Sequence, residues 1–133
     1  MLKESTAMMT SDGLMRRWFY DDQFDLIIWV WIGSASPERL INSFELCYEA
    51  LDRPLESQDV AGFALRWSHD HGFQQFSLNR GRSSKTRRSA GVLVATGDRP
   101  RLDQGLIQQF QGVSHTLEAP LRQFILDRLY TLQ

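Results

Sequence analysis

Phe24-Asp25-Leu26-Ile27-Ile28-Trp29-Val30-Trp31-Ile32 is short, rich in β-branched and aromatic residues, and closed by Gly33-Ser34. Those properties predict a β-strand. Both of its alternating sets are apolar: Leu26, Ile28, Val30 and Ile32 on one face, Ile27, Trp29 and Trp31 on the other. A strand with two apolar faces belongs at the centre of a sheet covered on both sides. One of Trp29 and Trp31, though not both, is therefore expected in the core.

Downstream, Ser34–Pro37 supplies a turn, and Ile41–Tyr48 alternates cleanly. Phe44, Leu46 and Tyr48 point one way, with Ser43, Glu45 and Cys47 opposite, the pattern of a half-buried strand. Residues 49–61, with four acids and a proline, read as a solvated connection. Phe63, Leu65 and Trp67 mark a third strand, His69-Asp70-His71-Gly72 a tight turn, and Phe73–Asn79 a fourth strand hairpin-paired with the third. Residues 80–90 read as a loop, and 91–96 as a short fifth strand.

The period then changes. Leu102, Leu106, Ile107 and Phe110 recur at helical spacing with Gly112 as the stop, and Pro120 suits the first turn of a last helix. Leu121, Phe124, Ile125, Leu129 and Leu132 form the apolar stripe of that helix. Strands followed by helices predict an α+β fold: a mostly antiparallel sheet of about five strands with two C-terminal helices packed on one face. Residues 1–13 read as a frayed leader and 14–133 as a single domain. The other face of the 24–32 strand then needs a cover, from the leader, from residues 49–61, or from a second subunit.

Composition limits the classes of function. The chain has 133 residues, 42% of them hydrophobic, with 15 basic and 16 acidic side chains. That hydrophobicity is above the range of disordered chains, and the net charge of −1 gives no global field favouring nucleic acid or an anionic membrane. Cys47 is the single cysteine, so no internal disulfide can form and a cytoplasmic location is expected. No secretory signal is expected at the start of the chain, and the longest apolar run is about a third of a membrane span.

The order Phe24-Asp25-Leu26…Trp29, Phe44-Glu45-Leu46-Cys47-Tyr48, Ala64-Leu65-Arg66-Trp67, Gly72-Phe73 resembles an uncharacterised family of short bacterial proteins. Its members read F-D-L-x-V-W, F-Q-L-C-Y, A-L-x-W and G-F-x-H in that order. The resemblance covers about residues 17–78 and implies a compact α+β fold and a bacterial source. It implies no activity and transfers no site residue. After Phe73 the chain departs from the pattern, with Gln74, Gln75 and a basic segment where the family has a His and an acidic turn.

Charge is sorted along the chain. Residues 80–101 hold Arg80, Arg82, Lys85, Arg87, Arg88, Arg99 and Arg101 against the single acid Asp98, a local +6 that leaves −7 for the rest. Such a segment can clamp phosphates or an acidic protein surface through Arg forks, or can be a solvated loop. It contains no aromatic residue of the kind that stacks on bases.

His69 and His71 could start a metal site if a third ligand such as Asp21, Asp22, Asp25 or His115 came near. A polar hairpin turn accounts for them as well. Cys47 sits mid-strand with no nucleophile signature, which fits a structural thiol. Trp18, Tyr20, Trp29 and Trp31 are interface candidates, since Trp and Tyr serve both cores and binding hot spots. The leading expectation is a non-enzymatic interaction module that binds nucleic acid or an acidic protein through 80–101, self-associates as a homodimer through an aromatic face, or both. The alternative is a small metal-dependent or acid–base enzyme using the His69-Asp70-His71 turn. No cofactor is called for.

Overall fold

The computed structural model describes residues 1–10, 13–31, 41–48, 60–79, 92–95 and 99–132. Among them eight strands form one antiparallel sheet: β1 (Lys3–Glu4), β2 (Met8–Met9), β3 (Leu14–Tyr20), β4 (Phe24–Trp31), β5 (Ile41–Tyr48), β6 (Val60–Ser68), β7 (Gly72–Asn79) and β8 (Val92–Ala95). From β3 to β8 each strand pairs with the next, and β1 and β2 both pair with the outer edge of β3. Helix α1 (Gln104–Val113), a 3-10 turn at Ser114–Thr116 and helix α2 (Ala119–Tyr130) follow. The fold is α+β, as the order of periods predicts.

Register assigns every strand residue to a face. Opposite residues of an antiparallel pair share a side, so Phe19, Leu26, Leu46 and Leu65 form one row and Ile28, Phe44, Trp67 and Phe73 another. These rows meet Leu106, Ile107 and Phe110 of α1 and Leu121, Phe124, Ile125 and Leu129 of α2 in one buried cluster. Phe110 packs edge-on against Phe24 and Phe124 edge-on against Trp67, geometries that ring quadrupoles favour. Both helices therefore lie on one face of the sheet.

The helix ends follow local rules. Asp103 caps α1, its carboxylate accepting from the Gly105 N–H at 2.7 Å. Pro120 stands in the first turn of α2, where its missing N–H costs nothing. Gly72 opens β7 with φ +63°, the left-handed conformation expected at the end of its turn.

Three expectations need correction. Residues 1–10 are not a frayed leader: they form β1 and β2, and Leu2 is fully buried. The Leu2 N–H donates to the Val113 carbonyl at 2.9 Å, and the Thr116 hydroxyl donates to the Leu2 carbonyl at 2.8 Å. β3 has no counterpart among the strands predicted from sequence. Arg16-Arg17 interrupts its apolar pattern, because Arg17 occupies a position on the helix side of the sheet. Neither Trp29 nor Trp31 joins the core: Trp29 is half-buried and Trp31 is 43% exposed. Residues two apart on a strand share a side, so the burial of Ile28 and Val30 puts both tryptophans on the far face together.

Candidate functional site

The far face of the sheet gathers all four aromatic interface candidates. Trp18 lies opposite Ile27, Tyr20 opposite Asp25, Arg16 opposite Trp29 and Leu14 opposite Trp31. The next strands continue the rows with Glu45 and Arg66 beside Ile27, and with Cys47, Ala64 and Phe76 beside Asp25. Tyr20 is 37% exposed, and Trp18, Ile27 and Trp29 are half-buried. The helices lie on the other side, so among the described residues no element packs over this strip.

Side chains on this face order one another. The Trp18 and Tyr20 rings are 5.2 Å apart and tilted, and the Trp18 indole N–H donates to Asp25 Oδ1 at 3.4 Å. Arg66 donates to Glu45 at 3.3 Å, and its guanidinium lies 5.1 Å from the centre of the Phe76 ring. Small Cys47 and Ala64, in the row beside Asp25, are buried, so the Cys47 thiol is not presented to solvent.

The basic segment lies mostly outside the described residues, and this includes Arg80, Arg82, Lys85, Arg87 and Arg88. Its flanks are described. Asn79 pairs with Val92 at the sheet end shared by Tyr48 and Phe24. Arg99 and Arg101 are exposed. The Gln75 side chain holds the Arg101 backbone by accepting from its N–H at 3.4 Å and donating to its carbonyl at 3.3 Å. Gln75 also donates to the Tyr48 hydroxyl at 2.8 Å, and burial pushes that phenol up to about 12. The entry to α1 is thus anchored to the sheet beside the two arginines.

His69, Asp70 and His71 are exposed on the β6–β7 turn. The His69 Nε2 lies 3.0 Å from the Ile41 carbonyl, its ring packs edge-on to Trp67, and the His71 N–H donates to the Ser68 hydroxyl. Asp21 accepts from the Gln23 and Phe24 N–H groups at 2.8 and 2.7 Å, which closes the β3–β4 turn. Among the described residues no group of three or more His, Cys, Asp or Glu side chains is placed to hold a metal ion. No described helix is long and apolar enough to cross a membrane.

One cluster has no counterpart among the candidates read from sequence. Arg17 of β3 donates to both Glu4 carboxylate oxygens at 2.7 and 2.9 Å, and to both of Glu118 at 2.7 and 2.8 Å. Those hydrogen bonds, Glu4 first, push the guanidinium further above its ordinary value, and Arg17 holds the Glu118 carboxyl below its own. Glu118 stands 101 positions from Arg17 in the chain, so no local motif could reveal the pair. The cluster joins β1, β3 and the start of α2.

No family model, curated protein or solved structure matches this chain, so the reading of function rests on its own residues.

Proposed function

We propose that this chain is a non-enzymatic interaction module of the bacterial cytoplasm that binds a macromolecular partner. The observation that supports it is the far face of the sheet, where Trp18, Tyr20, Trp29 and Trp31 share one side and Trp31 is 43% exposed. Exposed aromatic strips of this kind mark interaction sites more often than they mark idle surface. Arg80, Arg82, Lys85, Arg87, Arg88, Arg99 and Arg101 offer a second, cationic surface suited to nucleic acid or an acidic protein.

Differential capture from cell extract tests the first surface. Protein carrying Tyr20→Glu and Trp31→Glu, folded by circular dichroism, is expected to lose partners that the unaltered chain retains. Equal capture by both would refute the assignment. For the second surface, random-sequence DNA and RNA are titrated at two salt concentrations. Phosphate binding must weaken steeply with salt, and Arg87→Glu with Arg88→Glu must weaken it without unfolding the domain. Absence of binding at low salt rejects the nucleic-acid branch.

A further inference from the structure

We infer that the outer edge of β8 takes an extended, acid-flanked segment of a partner protein as one further strand of the sheet. The inference rests on the reading of residues 80–101 as a cationic surface for an acidic protein, and names the form in which that partner binds.

The two ends of the sheet differ. At one end β1 and β2 pair with the outer edge of β3, and the charged Lys3 and Glu4 stand there. At the other end the sheet stops at β8. Among the described residues only β7 bonds to the β8 backbone. Alternate residues of an antiparallel strand aim both N–H and C=O away from the neighbour they pair with. β8 therefore keeps donors and acceptors for one more strand. Natural edges are blunted by charge, proline or a bulge. Val92-Leu93-Val94-Ala95 has no charged residue and no proline, and its register with β7 runs without a shift. Such an edge is what recognition by strand addition uses.

Charge complementarity names the partner. Lys85, Arg87 and Arg88 precede β8 in the sequence and Arg99 and Arg101 follow it, with Asp98 as the one acid among them. Arg99 and Arg101 are exposed. Gln75 holds the Arg101 backbone through contacts of 3.4 and 3.3 Å, and the next residue of β7, Phe76, pairs with Ala95. These two cations therefore belong to the Ala95 end of the edge. A peptide that extends the ladder and carries carboxylates at its ends meets them with opposite charge, through the forks that Arg provides. A second copy of this chain fits less well, because antiparallel pairing of two β8 strands lays cationic flank against cationic flank. A phosphate backbone can use the cations but leaves the ladder groups unpaired. Four residues make few ladder bonds, so charge is expected to carry a large part of the affinity.

Fluorescence polarisation of a labelled peptide titrated with the full chain tests this. The probe alternates valine and threonine and carries two glutamates at each end. Replacing its glutamates by lysines is expected to weaken binding at least about tenfold, and so is Arg99→Glu together with Arg101→Glu in the protein. Methylating the backbone nitrogens of the probe removes its donors and is expected to abolish binding. In amide NMR spectra the probe should move the signals of Val92–Ala95 and leave those of Lys3 and Glu4, on the opposite edge, in place.

A probe that does not bind at low salt overturns the inference. So does equal binding of the methylated or lysine-ended peptide, or unmoved signals at Val92–Ala95. Protection of those amides in the free protein, with a shift to dimer in sedimentation, would put a second copy on the edge and overturn it as well. Should the peptide fail while random-sequence DNA or RNA binds through Arg87 and Arg88, strand addition is rejected and the cationic surface stands. Failure of both rejects the cationic surface itself.

Discussion

Arg17 has a 14% exposed side chain among positions that otherwise hold apolar residues, and it is tolerated there because two carboxylates accept four hydrogen bonds from its guanidinium. Removing it would leave Glu4 and Glu118 facing each other across the edge of the core. Arg17→Met should therefore lower unfolding stability by about 2 kcal/mol in denaturant titration, and Arg17→Lys should restore only part of the loss, since an ammonium has three donors and no planar fork to give each carboxylate a two-point contact. The acid side of the stability profile carries the same signature. Glu118 has an ordinary value of 4.5 that Arg17 lowers in the folded protein. The stability it contributes is present above pH 4.5 and is lost as pH falls through the lower folded value. Arg17→Met should flatten that decline, which equilibrium unfolding at a series of acidic pH values would measure.

At the level of the element, β4 decides the architecture. Its even-numbered residues from Phe24 to Val30 are buried against the helices, and its odd-numbered ones are half-buried or exposed. Ile28→Ala removes fully buried methyl groups and should cost about 2–5 kcal/mol. Trp31→Ser, on the open side, should change stability by less than about 1 kcal/mol despite deleting a larger side chain. Comparable losses from both would mean that the tryptophan face is as well covered as the helix face. β3 is the instructive miss. Its two adjacent arginines hide the period-two pattern, and the partners that make Arg17 acceptable come from Glu4 and Glu118, outside any local window.

Across the whole molecule, the first ten residues complete a structure whose main core comes from later segments. Leu2 is sealed under the junction of α1 and α2 by its own backbone hydrogen bonds to Val113 and Thr116. Leu2→Ala should lower stability by about 2–3 kcal/mol, read as a fall in melting temperature. Its amide should also exchange with solvent at a rate near that of global unfolding. An amide that exchanged freely would mean that this segment frays in solution. The same segment pairs with the outer edge of β3, so it shields that edge and does not itself lie over the tryptophan face.

Alternation by itself determined that β4 is a two-faced strand, that β5 and β6 present Phe44, Leu46, Leu65 and Trp67 inward, and that two apolar-striped helices end the chain. These features rest on neighbours along the backbone, where periods of 2 and 3.6 leave a local record. The tertiary structure alone decided which apolar face of β4 meets the helices. Both faces are hydrophobic enough to be buried, and only the placement of one helical layer chooses between them. It also decided that Trp18, Tyr20, Trp29 and Trp31 share one face of the sheet, because cross-strand register is a long-range property. Glu118, one of the two partners of Arg17, and Thr116, which anchors Leu2, likewise lie more than a hundred positions away.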